Sequence, residues 1–315
     1  MNRKQKSLVL TILGWIFLVS MSAIILLPMF WILISGFKTN NEIFTNTFAL
    51  PKEWRVSNYI LAWKYGVGDY FLNSIFVTGI STAATVLISL LASFALTHSR
   101  FNFKLRNPVL IFIISGLMLA PQVALLPLYD LLSKLKIYDT YFAMVIPYLA
   151  FRISFTVFLM RAYLLSIPKE LEDAAYIDGC NSLKVLTSIV MPLSKPIIAT
   201  SALLTGMYCW NEFMFALVFT SSNNLRTIPL GLMNMRGTLR TEWGILIAAL
   251  ALSALPIIIV FILLQKQFIR GLVVHSISAV QRANANFFFT LYLSFLTNGI
   301  RATTNLYFCN RKIII

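Results

Sequence analysis

Charged side chains are the scarcest ingredient of this chain: they make up 12% of its 315 residues, where a typical soluble domain carries about 25%. With 58% of the residues hydrophobic, too little polar surface remains to face water on all sides, which excludes an ordinary soluble globular fold. Cysteine is scarce as well. Cys180, Cys209 and Cys309 lie far apart, with no disulfide, redox or metal-ligand spacing, and read as small apolar residues. The two histidines, His98 and His275, have no companions at ligand spacing. Neither a metal site nor a catalytic residue is therefore expected, and His98 receives no role. A glycine-rich phosphate loop is also missing, so no nucleotide cofactor is expected on this chain.

What the chain has is apolar length and positive charge. Lysine and arginine outnumber acids 26 to 11. The basic residues sit between apolar runs, an arrangement that suits membrane flanks and not a nucleic-acid surface. Six stretches reach the roughly 20 apolar residues a bilayer requires, at about 8–36, 73–97, 108–132, 140–164, 197–220 and 244–265. The expected fold class is an all-α polytopic membrane protein with six transmembrane helices. The first stretch follows Arg3, Lys4 and Lys6, but it is too long for a signal-peptide core and lacks a small-residue cleavage pattern, so it reads as a retained helix. Pro121 and Pro127 predict kinks in the third span, which neighbouring helices can accommodate in lipid.

An even number of spans places both termini on one side. With that side inward, the inner segments up to Arg270 hold thirteen Lys/Arg, Arg152 among them, against nine outside. The positive-inside rule therefore puts the termini, and the loop before the fifth span, in the cytoplasm.

That loop, 166–196, gathers four of the eleven acids: Glu170, Glu172, Asp173 and Asp178. Ser166 and Pro168 signal a helix start, and acids in the first turn suit the helix dipole. Leu171, Ala174 and Ala175 share a face by their spacing. Gly179 is a natural helix stop. A second helix is expected from Ser182, with Leu183, Leu186, Ile189 and Val190 as its apolar stripe and Pro192 and Pro196 beyond. Periodicity alone fits either an amphipathic loop lying along the membrane or a docking element with an acidic and a small-residue side.

The residues also carry a resemblance. Asp173-Ala174-Ala175, three residues, Gly179, nine residues and then Ile189-Val190-Met191-Pro192 is similar to the EAA loop of ABC-importer permeases, whose pattern is Glu-Ala-Ala, three residues, Gly, nine residues, Ile-x-Leu-Pro. Asp173 and Met191 are conservative departures. "PLYDLLSKLKIYDTYFAMVIPYLAF" (127–151), "WNEFMFALVFT" (210–220), "LRTIPLGL" (225–232) and the segment 242–272 resemble the carbohydrate branch of that family, and in particular the shorter membrane subunit of maltose-type importers. The resemblance covers roughly residues 8 to 272. It implies type I importer architecture in a bacterial cell membrane, with cytoplasmic EAA coupling helices seated on an ATPase. The implied partners are two ATPase subunits that bind ATP and Mg, a second permease subunit (by family precedent a different chain), an extracytoplasmic sugar-binding protein and a sugar. No enzymatic activity is implied for this chain. A polyamine or other-solute permease shares the loop. A secondary transporter is the other class, but it calls for more intramembrane carboxylates and an internal repeat.

Four residues are candidates for the substrate path. Glu212 and Asn211 fall inside the fifth span, where a carboxylate suggests function but also suits a paired or interfacial group. Trp210 suits sugar stacking and helix packing equally. Gln122 offers an amide in the third span. The outer loop 38–72, with Trp54 and Trp63, suits either a binding-protein contact or a rest on the bilayer surface. The organisation expected is a short cytoplasmic N-terminus (1–7), a permease domain (8–272) and an atypical tail (273–315). The tail's ten-residue run "FFFTLYLSFL" is too short to span. It reads as poorly ordered and foreign to the family, as from a shifted reading frame.

Overall fold

In lipid a backbone without helical hydrogen bonds has nowhere to turn, so long apolar runs become helices. A computed structural model describes residues 3–98, 101, 103–235 and 241–282, and every regular element among them is helical. In chain order these are α1 (Arg3–Ser35), α2 (Asn40–Thr45), α3 (Ser57–Ala62), α4 (Gly68–Thr97), α5 (Arg106–Ser115), α6 (Leu125–Lys134) and α7 (Tyr141–Leu164). There follow α8 (Lys169–Ile177), α9 (Ser182–Val185), α10 (Met191–Leu193), α11 (Lys195–Asn211), α12 (Met214–Phe219), α13 (Ile228–Asn234) and α14 (Trp243–Arg282).

Four helices among the described residues are long and apolar enough to cross a bilayer: Ile12–Ser35, Ser57–Thr97, Tyr141–Leu164 and Trp243–Gln267. A fifth exists if Ser182–Leu193 and Lys195–Asn211, bent by 76°, count as one span. The third and fifth expected spans are both broken. Around Pro121, helix gives way to an extended residue at Leu119 and a turn before α6, which leaves an apolar helical stretch of only Arg106–Met118. In the fifth, α11 stops at Asn211 and Glu212 is extended, with φ −69° and ψ 130°. The second is longer than expected, because a π-helical turn at Trp63–Val67 joins α3 to α4.

The two central helices are α4 and α7. On α4, Ser81, Thr85, Ser89 and Ser93 recur every four residues and are all buried, so small hydroxyl side chains let the neighbouring backbones approach. Ser93 Oγ donates to the Val157 carbonyl of α7 at 3.2 Å. The core is divided along these helices. One cluster joins Val77, Met144, Tyr148, Cys209, Phe215 and Phe219; a second, at the other end of α7, joins Leu90, Phe94, Met160, Ala175, Val185 and Val190. The second cluster anchors the loop 166–196.

The segment between α1 and α3 is a folded unit. Thr39 and Glu42 form a capping box on α2, and Glu42 also accepts from Lys52 N at 3.1 Å. The backbone N–H of Thr39, ahead of burial's opposing effect, holds its pKa below the usual range. Lys38 is buried although no acid pairs with it among the described residues; its Nζ donates to the carbonyls of Thr47 (2.7 Å) and Asn46 (3.3 Å). Trp54 and Trp63 are exposed. Helix α14 runs ten residues into the segment expected to be poorly ordered, and 283–315 lie outside the described residues.

Candidate functional site

The loop 166–196 folds as two short helices at a corner, as its sequence predicts. Gly179 has φ +80°, a region that costs a residue with a Cβ roughly 1–2 kcal/mol. Gly179 N donates to Tyr176 O and Cys180 N to Ala175 O, both at 3.0 Å, which closes α8 with the paired bonds of a Schellman motif. A Cβ at Gly179 would meet nothing within 4 Å, so only the backbone conformation demands glycine. Asn181 then caps α9 by accepting from Lys184 N at 2.8 Å.

The faces differ in detail from the sequence expectation. Ala175 is buried, whereas Leu171, Asp173 and Ala174 are exposed together with Ile177, which is 87% exposed. On the second limb Val185, Leu186 and Val190 are buried and Ile189 is half-buried, but Leu183 is 65% exposed. A π-helical turn covers Leu186–Val190, and one inserted residue there displaces the stripe before it by one position, which brings Val185 into the core beside Leu186. Pro192 lies in α10, directly before the bend into α11. The outward surface is therefore a patch of Asp173, Ala174, Ile177, Asp178 and Leu183, with Glu170 at its edge.

Glu172 does not belong to that patch. Its carboxylate turns inward and bonds His98 Nδ1, while His98 Nε2 lies 2.5 Å from Tyr176 OH. His98 is 2% exposed, ends α4 and stacks on Phe94 at 4.8 Å. Tyr176 OH also lies 3.1 Å from Ser182 Oγ, at the start of α9. The sequence offers one sign of this: a histidine at the end of an apolar span, on the side of the acidic loop.

The path candidates divide. Gln122 and Glu212 line one cavity of about 220 Å³ with Pro121, Tyr208, Met214 and Phe215. Breaks in two helices create it. At the second break the Glu212 carboxylate accepts from Phe215 N (2.9 Å), Ala216 N (3.3 Å) and Tyr148 OH (2.7 Å). Three donors replace water around an intramembrane charge, which offsets much of the cost of burying it.

Trp210 does not face this cavity. It is buried beside Phe71, and its indole N–H donates to the Ser253 carbonyl of α14 at 3.0 Å, so it packs helices. Asn211 is exposed and donates to its own helix at Met207 O. Charge counting groups Arg152 with the inner flank, but it lies midway along α7. Its guanidinium sits over the rings of Phe155 (4.7 Å) and Tyr208 (4.8 Å), and its Nε has no hydrogen-bond partner among the described residues. The inward tally of Lys/Arg falls to twelve, still above nine.

Several apolar helices long enough to cross a bilayer, two of them broken around a largely apolar cavity that holds one carboxylate and one amide, define a multi-pass membrane protein. Residues 86–274 match the family described as binding-protein-dependent transport system inner membrane component, and this chain belongs to that family. It is 48% identical over 258 residues to the probable ABC transporter permease protein YurM of Bacillus subtilis, covering 82% of this chain and 85% of that one. It is 34% identical over 257 residues to the trehalose/maltose transport system permease protein MalG of Thermococcus litoralis, covering 80% and 91%. In fold it is similar to a chain of a bacterial ABC transporter involved in import of the acidic polysaccharide alginate. That match has a TM-score of 0.73 at 22% identity and covers 85% of this chain and 99% of the other.

Proposed function

We propose that this chain is the permease subunit of an ATP-binding-cassette importer for a sugar, with residues 8–272 as its membrane domain and the loop 166–196 as its coupling element. The observation that carries this is the exposed patch of Asp173, Ala174, Ile177 and Asp178 on a corner fixed by Gly179, in a chain whose relatives bear the names of sugar permeases. Two ATPase subunits bind ATP and Mg in the cytoplasm, and this chain neither binds nor hydrolyses nucleotide. Small side chains allow close seating of the ATPase, the acids give it a charge register, and Ile177 and Leu183 supply apolar area.

The sugar is delivered by an extracytoplasmic binding protein and crosses between this chain and a second permease subunit. Gln122 and Glu212 border the path. The amide offers a donor and an acceptor to hydroxyl groups, while Glu212, already holding three donors, keeps spare acceptor capacity. Both termini lie in the cytoplasm, on the side of the coupling loop.

The test reverses Asp173 to lysine and, separately, replaces Gly179 by proline. Normal membrane levels with loss of ATPase co-purification, or of binding-protein-stimulated ATP hydrolysis, are the expected outcome. Unchanged association and stimulation in both variants would remove the coupling role from the loop.

A further inference from the structure

A docking loop does work only if the push it receives reaches the helices around the path. Helix α8 has nine residues, about 13 Å at 1.5 Å per residue. By its backbone it is joined only to α7, through the turn at 165–168, and to α9, through the glycine corner. Held by these ends alone, α8 would tilt under load and the load would be lost. Its side chains supply a third attachment. Glu172 and Tyr176, one turn apart on α8, take the two ring nitrogens of His98 from either side. Ala175, between them, packs in the same buried cluster as Leu90 and Phe94 of α4. His98 is itself fixed, because it ends α4, stacks on Phe94 and is 2% exposed.

Helix α4 is suited to carry motion. It continues without a break from Gly68 to Thr97, packs along α7 and α11, and shares a core cluster with Cys209, next to the cavity residue Tyr208. Glu172 therefore differs from its acidic neighbours. Asp173 and Asp178 are presented outward, whereas the Glu172 side chain is 14% exposed and engaged within the chain.

Resting on the coupling role of the loop, we propose that His98 is a positioning residue that, through Glu172 and Tyr176, locks α8 to the end of α4. Force received at the loop then moves the second long helix directly, and does not pass only through the backbone joints to α7 and α9. Two bonds to one planar ring fix both distance and orientation, which a single contact cannot do.

The experiment uses the complete transporter, with ATPase, second permease and binding protein, in proteoliposomes, and reads sugar transported per ATP hydrolysed. In His98→Ala the ATPase still co-purifies, but sugar per ATP falls by about tenfold, within the range of ordinary coupling energies. Glu172→Gln, which keeps an acceptor of the same shape, retains most of the ratio and the ATPase; a docking charge at this position would instead lose the ATPase. Glu172→Ala matches His98→Ala, and the double variant is no worse than either single, as two members of one unit require. A mere loss of stability would lower transport and hydrolysis together and leave their ratio unchanged.

A wild-type ratio in His98→Ala, with ATPase association or stimulated hydrolysis lost in Gly179→Pro, overturns the lock and leaves the coupling role standing. A wild-type ratio in His98→Ala with unchanged association and stimulation in Gly179→Pro overturns the two together. Should His98→Ala not accumulate in the membrane, Glu172→Ala carries the same test with the same opposing outcomes.

Discussion

The phenol of Tyr148 donates a 2.7 Å hydrogen bond to the carboxylate of Glu212, tying the first half of α7 to the break between α11 and α12. Tyr148 is fully buried, and Phe215 and Phe219 stack in series beside it. The bond explains how one carboxylate is tolerated at membrane depth and why the helix stops there: Glu212 trades helical continuity for the N–H groups of Phe215 and Ala216. Tyr148→Phe should destabilise the purified protein by about 1–3 kcal/mol, the usual cost of leaving a buried polar group short of a partner. A thermal shift assay in detergent checks this, and an unchanged Tm would show that water supplies the missing donor.

Asp139 clamps the turn between α6 and α7 to the chain after α12. Its carboxylate accepts from Ser221 N (2.8 Å), Ser222 N (2.9 Å) and Ser222 Oγ (2.5 Å). The Ser222 hydroxyl is the largest of the causes that lower its pKa from 3.8 to about 2. A depressed carboxylate pKa contributes stability above the unfolded value and loses it as pH falls through the folded one. The Tm gap between wild type and Asp139→Asn should therefore hold from pH 7 to about 4 and close towards pH 2. The gap will be small, because the group is exposed to solvent. A gap that widens on acidification would contradict the assignment.

Gly179→Ala isolates conformation from contact. Nothing stands within 4 Å of the added methyl, but φ is +80°, so the corner should lose about 1 kcal/mol with no steric clash. Limited proteolysis should show faster cleavage within 166–196 while the remaining fragments stay protected. Equal cleavage rates would mean that the corner readily takes another conformation.

Lys38 holds the folded segment after α1 from within. With 1% exposure and its ammonium on the Thr47 and Asn46 carbonyls, it closes the C-terminal end of α2, where a cation is favoured. Lys38→Met keeps the stem and removes the donors, and should speed amide exchange across 40–56. Trp31 still donates to Thr47 O at 2.8 Å, so α1 remains attached. Unaltered exchange would assign the loop's order to packing alone.

How much of this was legible in the sequence depended on distance along the chain. The fold of the loop 166–196 is readable because its acids, alanines and glycine lie within one short run, and Gly179 takes the conformation expected of it. The helix class follows from apolar length, and four helices among the described residues are long and apolar enough to cross a bilayer. The breaks were not legible as breaks: a carboxylate inside an apolar run signals a site but does not say that it will leave the helix to cap the next one. That outcome depends on Tyr148, 64 residues earlier. His98 is hidden for the same reason, since its partners stand 74 and 78 residues away. Charge counting is blind to depth and groups Arg152 with a flank, whereas α7 places it midway, against aromatic rings. Trp210 showed the opposite ambiguity, and packing against α14 resolved it.

The most direct test of ATP-driven sugar import through this subunit is uptake of radiolabelled di- and oligosaccharides into proteoliposomes holding the assembled complex. It would be measured with ATP inside, and separately with an imposed ion gradient and no ATP. Uptake that needs ATP and the binding protein, and that disappears in Asp173→Lys while the permease level is normal, is the predicted result. Uptake driven by the ion gradient alone and untouched by Asp173→Lys would contradict the account.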